Sequence, residues 1–182
     1  MSTNLPLEIE YKFLIEMPDL AKLRKSPGYR EMKLTQMYLS LPHGFGAFGS
    51  SCRIRKIEED SKTTFVKTFK RDIPSDSDSG ALTRVEVEDE ITEGEYISLS
   101  RFIRQGTAPV EKTRITFLHE NHTLEVDIFP FWQDKAFLEI EVESEEVLPP
   151  IPDFIKVIKD VSLDKDYRNS ALAVRIFEQS LT

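Results

Sequence analysis

The 182-residue sequence has one cysteine, one tryptophan, three histidines and seven glycines. A lone Cys52 excludes an internal disulfide, and its place beside Arg53 on the opposite strand face reads as packed rather than reactive. His43, His119 and His122 fall in loop-like segments and read as surface residues. No apolar run approaches the roughly 20 residues of a membrane span. No amino-terminal segment has the charged-then-apolar plan of a signal peptide, so the expectation is a cytoplasmic protein without membrane contact. A basic surplus is also missing: 32 acids against 24 bases give a net charge of -8, which argues against nucleic acid as a partner and leaves room only for a local basic site. Nothing resembles a nucleophile elbow or a catalytic triad.

What the chain has in abundance is period-two alternation. Segments rich in β-branched and aromatic residues recur at 7–15, 34–41, 50–58, 62–70, 82–91, 111–119, 122–131 and 136–145, which predicts eight strands. The polar residues His119 to His122 between two of them predict a tight antiparallel hairpin. Thr92 and Glu95 form a capping-box pattern ahead of Tyr96, Leu99 and Ile103, predicting a helix near 93–104. Short helices are expected over Pro18–Lys25 and Pro152–Lys159, and a last one from Asn169 or Ser170 with Leu172, Ala173, Ile176 and Phe177 as its apolar stripe. The stretch Asp72 to Gly80 reads as a solvated strand connection, and the prolines from Pro149 to Pro152 as the exit from the sheet. Residues 1–182 are expected to form one domain, with 151–182 as a carboxy-terminal helical segment.

The alternation is unusual in its polar half. In a strand, Glu8, Glu10 and Lys12 share one face while Ile9, Tyr11 and Phe13 share the other. Arg84, Glu86 and Glu88 oppose Val85 and Val87; Glu125 and Asp127 flank Val126; Glu139 and Glu141 flank Ile140. Basic counterparts are Arg53 and Arg55 around Ile54, Lys112 and Arg114 around Thr113, and Lys70 on the face of Thr68. A single such segment ordinarily means a sheet with one solvated face. Here, however, acid pairs and base pairs are segregated onto separate strands. Neighbouring carboxylates about 7 Å apart repel by roughly 2 to 3 kcal/mol at an effective dielectric near 20, and such repeated repulsion needs a compensating cation. Closing the sheet would put the charges inside. Eight acids (Glu8, Glu10, Glu86, Glu88, Glu125, Asp127, Glu139, Glu141) then face seven bases (Lys12, Arg53, Arg55, Lys70, Arg84, Lys112, Arg114). That near balance, with two divalent ions added, suits a polyanion, and oxygen ligands favour Mg²⁺ or Mn²⁺.

The order Glu8-x-Glu10-x-Lys12, Arg53-x-Arg55, Thr68-Phe69-Lys70, Arg84-x-Glu86-x-Glu88, Lys112-x-Arg114, Glu125-x-Asp127 and Glu139-x-Glu141 resembles the CYTH superfamily of triphosphate tunnel metalloenzymes, from Glu8 to about Ala173. The resemblance implies an α+β fold, an antiparallel eight-stranded β-barrel forming a tunnel, with peripheral helices and a carboxy-terminal helix. It implies that Lys12, Arg53, Arg55, Lys70, Arg84, Lys112 and Arg114 bind phosphates and that Glu8, Glu10, Asp127, Glu139 and Glu141 hold metal, with Glu86 and Glu88 as further candidates. Lys12 and Arg55 are the expected catalytic groups. The tail from Val161 to Ala173 looks like that of short bacterial inorganic triphosphatases, which adds Lys165 as a catalytic or phosphate-contacting residue, while Asp166 stands where a base is expected.

The implied activity is metal-dependent hydrolysis of inorganic tripolyphosphate, a small-molecule substrate, with two Mg²⁺ or Mn²⁺ ions. Relatives that take thiamine triphosphate or cyclise ATP (class IV-type adenylate cyclases) share the phosphate machinery. A non-enzymatic polyphosphate-binding module is the reading of another class; it would keep the bases but has no use for every carboxylate pair. Exposed apolar strand faces are compatible with a homodimer.

Overall fold

The computed structural model describes residues 6–40, 50–73, 80–144 and 150–181. His43, Pro149 and the centre of the expected turn-rich connection at 74–79 lie outside them. Among the described residues nine strands form: β1 Leu7–Glu16, β2 Arg30–Leu39, β3 Ser50–Glu59, β4 Lys62–Asp72, β5 Leu82–Ile91, β6 Val110–His119, β7 His122–Ile128, β8 Lys135–Glu141 and β9 Val157–Asp160. They run in the order β5-β4-β3-β2-β6-β7-β8-β1-β9, and an additional β1–β5 pairing closes the first eight into an antiparallel barrel.

Turn chemistry sets the hairpins. Between His119 and His122, Glu120 and Asn121 both take positive φ (45° and 66°), the backbone of a two-residue turn whose twist matches the strands it joins. Strand β7 stops at Ile128, short of the expected residue 131, because Pro130 lacks the N–H a ladder needs.

The expected helix over Pro152–Lys159 does not form. On one edge of β1, β5 pairs only with Leu7 to Glu10, so the rest of that edge is left without partners. The polar backbone groups there must be satisfied. Val157 to Asp160 supply them as β9, opposite Phe13 to Ile15, with Glu16 N–H donating to the Lys156 carbonyl and Val161 N–H to the Lys12 carbonyl. Ladder demand therefore overrides the helical spacing of Phe154, Val157 and Ile158.

The described residues form three α-helices: α1 Leu20–Leu23, α2 Glu93–Leu99 and α3 Asn169–Gln179. The capping box at Thr92 and Glu95 is present, and the helix it starts ends at Leu99 in a 3-10 turn instead of reaching residue 104.

With the polar faces turned inward, the apolar faces lie outside and must be covered. Leu20 and Leu23 of α1, with Phe154 and Ile155, cover Tyr11, Phe13, Phe117, Leu124, Val126, Leu138 and Ile140. Tyr96 and Leu99 of α2 cover Met37, Leu39 and Ile54. A third cluster differs. Leu14, Tyr38, Val110, Phe129 and Phe137 share strand faces with the charged residues, and Leu172 and Ala173 of α3 pack on them. This apolar plug closes one end of the barrel.

Gly28, at φ 67°, leads into β2, where a Cβ would lie 2.9 Å from Leu118 Cγ. Gly28→Ala is expected to lower stability by about 2 kcal/mol, from left-handed strain plus the displaced leucine, measured as a shift in the urea midpoint at constant slope.

Candidate active site

The barrel encloses a cavity of ≈ 550 Å³. Twelve of the residues singled out from the sequence meet in its wall: Glu8, Glu10 and Lys12 from β1; Arg53 and Arg55 from β3; Lys70 from β4; Arg84, Glu86 and Glu88 from β5; Arg114 from β6; Glu139 and Glu141 from β8. Strand parity explains the convergence, since each contributes alternate residues. The register then sets neighbours: Glu8 faces Arg84, Lys70 faces Glu86, Arg114 faces Asp127, Lys12 faces Glu139 and Glu10 faces Glu141.

Three expected residues are not in the wall. Lys112 and Asp127 lie beneath it as an ion pair whose side chains are 1% and 0% exposed. Lys165 is exposed on a 3-10 turn before α3. The wall gains residues instead. Glu125, read as interior but given no role, is there, and so is Asp72, which continues the Thr68, Lys70 face by one more step of two. Arg104 and Arg168 also line the cavity. Both sit in turns, where no periodicity could have marked them. Arg168 supplies the base that Asp166 does not, donating to Asp72 Oδ2 at 2.8 Å, and Arg104 lies 5.6 Å above the Tyr38 ring. The wall then holds eight acids and eight bases.

Cross-strand ion pairs hold these charges together. Lys12 Nζ donates to Glu139 Oε1 at 2.7 Å while resting 4.2 Å from the Phe137 ring centre. Lys70 donates to both Glu8 oxygens, at 2.6 and 2.7 Å, and lies 3.0 Å from Glu86. Arg84 bridges Glu8 at 3.0 Å and Glu10 at 3.5 Å. Arg55 pairs with Glu88, and Arg114 with Glu125, Asp127 and Glu139.

The protonation equilibria follow. Burial would raise Glu139, but Lys12 and Arg114 outweigh it and hold the carboxyl well below its ordinary range. Burial would likewise raise Asp127, and Arg114 and Lys112 hold it down. Burial and the adjacent Arg53 lower Arg55 to about 10, against the pull of Glu88. Burial, with Arg114 next to it, brings Lys112 down to about 8. Glu10 moves the other way, raised by burial and then by Glu139. Glu141 is raised by burial and by Glu8, Glu86 and Glu125.

Two features are left uncompensated. The buried Nε–H groups of Arg53, Arg55, Arg84 and Arg168 have no acceptor, although an unpaired buried donor costs about 1 to 3 kcal/mol. The opposed pair Glu10 and Glu141 shares no cation nearer than Arg84, at 3.5 Å from Glu10. The donors suit an anion, and the carboxylate pair suits a hard cation. Among the described residues no three acid, histidine or cysteine groups form a ready-made metal cage.

The site is thus a closed antiparallel barrel with a charged interior, in which unpaired arginine donors lie beside carboxylates short of a cation. Residues 6–156 match the CYTH domain family, and the chain belongs to it. Among solved structures, the inorganic triphosphatase NE1496 is similar, with 26% identity over 92% of this chain and 94% of its own and a TM-score of 0.52. The PH1819 protein of Pyrococcus horikoshii OT3 (20% identity over 74% and 80% of the two chains, TM-score 0.52) shares the fold. So does a chain of the Schizosaccharomyces pombe Mediator head module (10% identity, 95% and 90% covered, TM-score 0.53). Curated protein sequences gave no match. Among the described residues no helix is long and apolar enough to cross a membrane.

Two outcomes are expected of the ligand-free protein. Glu139 and Asp127 have folded pKa values below their unfolded ones, so the stability they supply is complete above about pH 4.5 and is lost as pH falls through the folded values. Urea midpoints should therefore drop steeply below about pH 4, and less steeply in Glu139→Gln. Glu10 has the opposite sign: its folded pKa is raised, so its contribution is greatest below the unfolded value and lost as pH rises through the folded one. At pH 7 it is a net cost, and Glu10→Gln should melt about 2 to 4 °C higher than the parent by calorimetry.

Proposed function

We propose that the protein hydrolyses a triphosphate with a divalent metal, and that inorganic tripolyphosphate is its substrate. The observation that carries the reading is the set of buried, acceptorless Nε–H groups on Arg53, Arg55, Arg84 and Arg168 in a wall rich in ion pairs. Phosphate oxygens are the acceptors whose geometry the guanidinium fork matches. The similar triphosphatase NE1496 supports the same class of substrate.

Bare tripolyphosphate, rather than a nucleoside or thiamine triphosphate, is favoured by the lining. Tyr38 is the one aromatic ring in the described wall, and Arg104 already lies over its face. No free ring surface there remains for a base to stack on. The functional unit extends past residue 156, because Val161, Ser162, Arg168, Asn169 and Ser170 line the cavity.

In this reading Arg53, Arg55, Lys70 and Arg84 hold the phosphate chain. Lys12, on the strand that also carries Glu8 and Glu10, neutralises charge developing on the reacting phosphoryl oxygens. Arg104 and Arg168 add positive charge at the sealed end. Glu8, Glu10, Glu139 and Glu141 would hold Mg²⁺ or Mn²⁺. Such an ion would supply charge neutralisation for the phosphates and an activated water, so no serine or cysteine nucleophile would be required. Lys165, outside the wall, has no role in this scheme.

The test is phosphate release from tripolyphosphate, thiamine triphosphate and ATP, each with Mg²⁺, Mn²⁺ or chelator, with cyclic AMP monitored. Turnover of tripolyphosphate that chelator abolishes is expected, together with equal loss of activity in Glu8→Gln and Glu139→Gln whose folding is intact. Tight polyphosphate binding without turnover would leave a binding module, and normal activity in both variants would sink the metal assignment.

A further inference from the structure

Of Glu8, Glu10 and Lys12 on β1, Lys12 is the residue whose backbone has no strand beside it on the outer edge among the described residues. β5 pairs with Leu7 to Glu10, so Glu8 and Glu10 lie opposite Arg84 and Leu82, and β9 pairs with Phe13 to Ile15. Both backbone polar groups of Lys12 are satisfied nonetheless. Its carbonyl accepts from Val161 N–H at 2.9 Å, and its N–H donates to Ser162 Oγ at 2.9 Å. A serine side chain thus stands where a ladder would place a carbonyl.

The Ser162 hydroxyl is held in its accepting orientation. Asp160 Oδ1 takes both donors of Ser162, the backbone N–H at 2.9 Å and the hydroxyl at 2.7 Å, while the Lys12 carbonyl lies farther from Oγ, at 3.3 Å. A hydroxyl has one proton to give. With that proton on Asp160, the lone pairs of Oγ are left for the Lys12 N–H. Ser162 is buried, whereas Asp160 is exposed on β9. The other end of Lys12 is fixed from the opposite side, by β8: its Nζ lies 2.7 Å from Glu139 Oε1 and 4.2 Å from the Phe137 ring centre. Ser162 therefore holds the root of a side chain whose tip β8 holds.

We propose that Ser162 is a positioning residue for Lys12, with Asp160 orienting its hydroxyl: together they set where the ammonium meets the reacting phosphoryl group, without touching the substrate themselves. Ser162 lines the cavity, but its hydroxyl proton is committed to Asp160 and is not spent on phosphate. Misplacing a reacting group by about 1 Å can cost on the order of 100-fold in rate. Such a loss falls on turnover rather than on substrate binding, because Arg53, Arg55, Lys70 and Arg84 still hold the phosphate chain. The inference rests on the triphosphatase reading above, and the measurements that test it separate the two.

Steady-state kinetics with tripolyphosphate and hydrogen exchange of the Lys12 amide, followed by NMR, are the measurements. Ser162→Ala should lower kcat about 10- to 100-fold while KM changes by less than about 3-fold. The same variant should speed exchange of the Lys12 amide at least about 10-fold, with Phe13 and Leu14 keeping their protection. Ser162→Thr, which keeps the oxygen, should restore kcat to within about 3-fold of the parent. Lys159→Gln, which removes the exposed pair with Asp164 and the contact with Tyr167 in the same tail, should leave both readings unchanged. If Ser162→Ala shows no cooperative melt, Asp160→Ala at its exposed position replaces it and should lower kcat about 3-fold, with Asp160→Asn, which keeps an acceptor, close to the parent. Unchanged kcat, a raised KM at normal kcat, which would make Ser162 a substrate contact, or an equal loss in Lys159→Gln overturns the proposal. A parent protein without turnover defeats the triphosphatase reading alone; the stitch is then judged by exchange, and an unaltered Lys12 amide in Ser162→Ala overturns it.

Discussion

The structure depends on charge neutralisation across strands. Among the described residues sixteen ionisable side chains face one cavity, eight of each sign, and unpaired charge is expensive in such a place. The solution is positional: register sets Lys70 against Glu86, Arg84 against Glu8, Arg114 against Asp127 and Lys12 against Glu139. A slip of one residue on any of these strands would swap the charged face for the apolar one. The interior therefore specifies the register as firmly as a hydrophobic core does elsewhere, and the apolar clusters outside the barrel enforce the same alignment from the other side.

That neutralisation is incomplete in two places, and the two are complementary. Four arginines of the described wall, Arg53, Arg55, Arg84 and Arg168, lack an acceptor for a buried N–H, while Glu10 and Glu141 face each other with too little positive charge nearby. An anion alone would satisfy the first and aggravate the second; a cation alone would do the opposite. A metal–polyphosphate complex answers both.

The strands, the inward charged faces and most of the wall were legible in the sequence because a single rule, period-two alternation, governs them all. What escaped obeys other rules. The strand at Val157 to Asp160 exists because β1 has an unmatched edge, a demand located some 140 residues away in the chain. Arg104 and Arg168 reach the cavity from turns whose placement depends on α2 and α3 docking. Lys112 and Asp127 follow the alternation faithfully yet sink below the wall, because parity fixes the side of a sheet and not the depth at which a side chain ends.

One feature of β1 bears on the whole. Its outer edge is shared between two strands, β5 over Leu7 to Glu10 and β9 over Phe13 to Ile15, with Lys12 between them, its N–H donating to Ser162 Oγ. The barrel's closing joint thus runs along the strand that bears Glu8, Glu10 and Lys12. A ligand held by those three residues together with Arg84 on β5 and Glu139 on β8 would span that joint like a clasp, across a seam that the short β1–β5 ladder already closes.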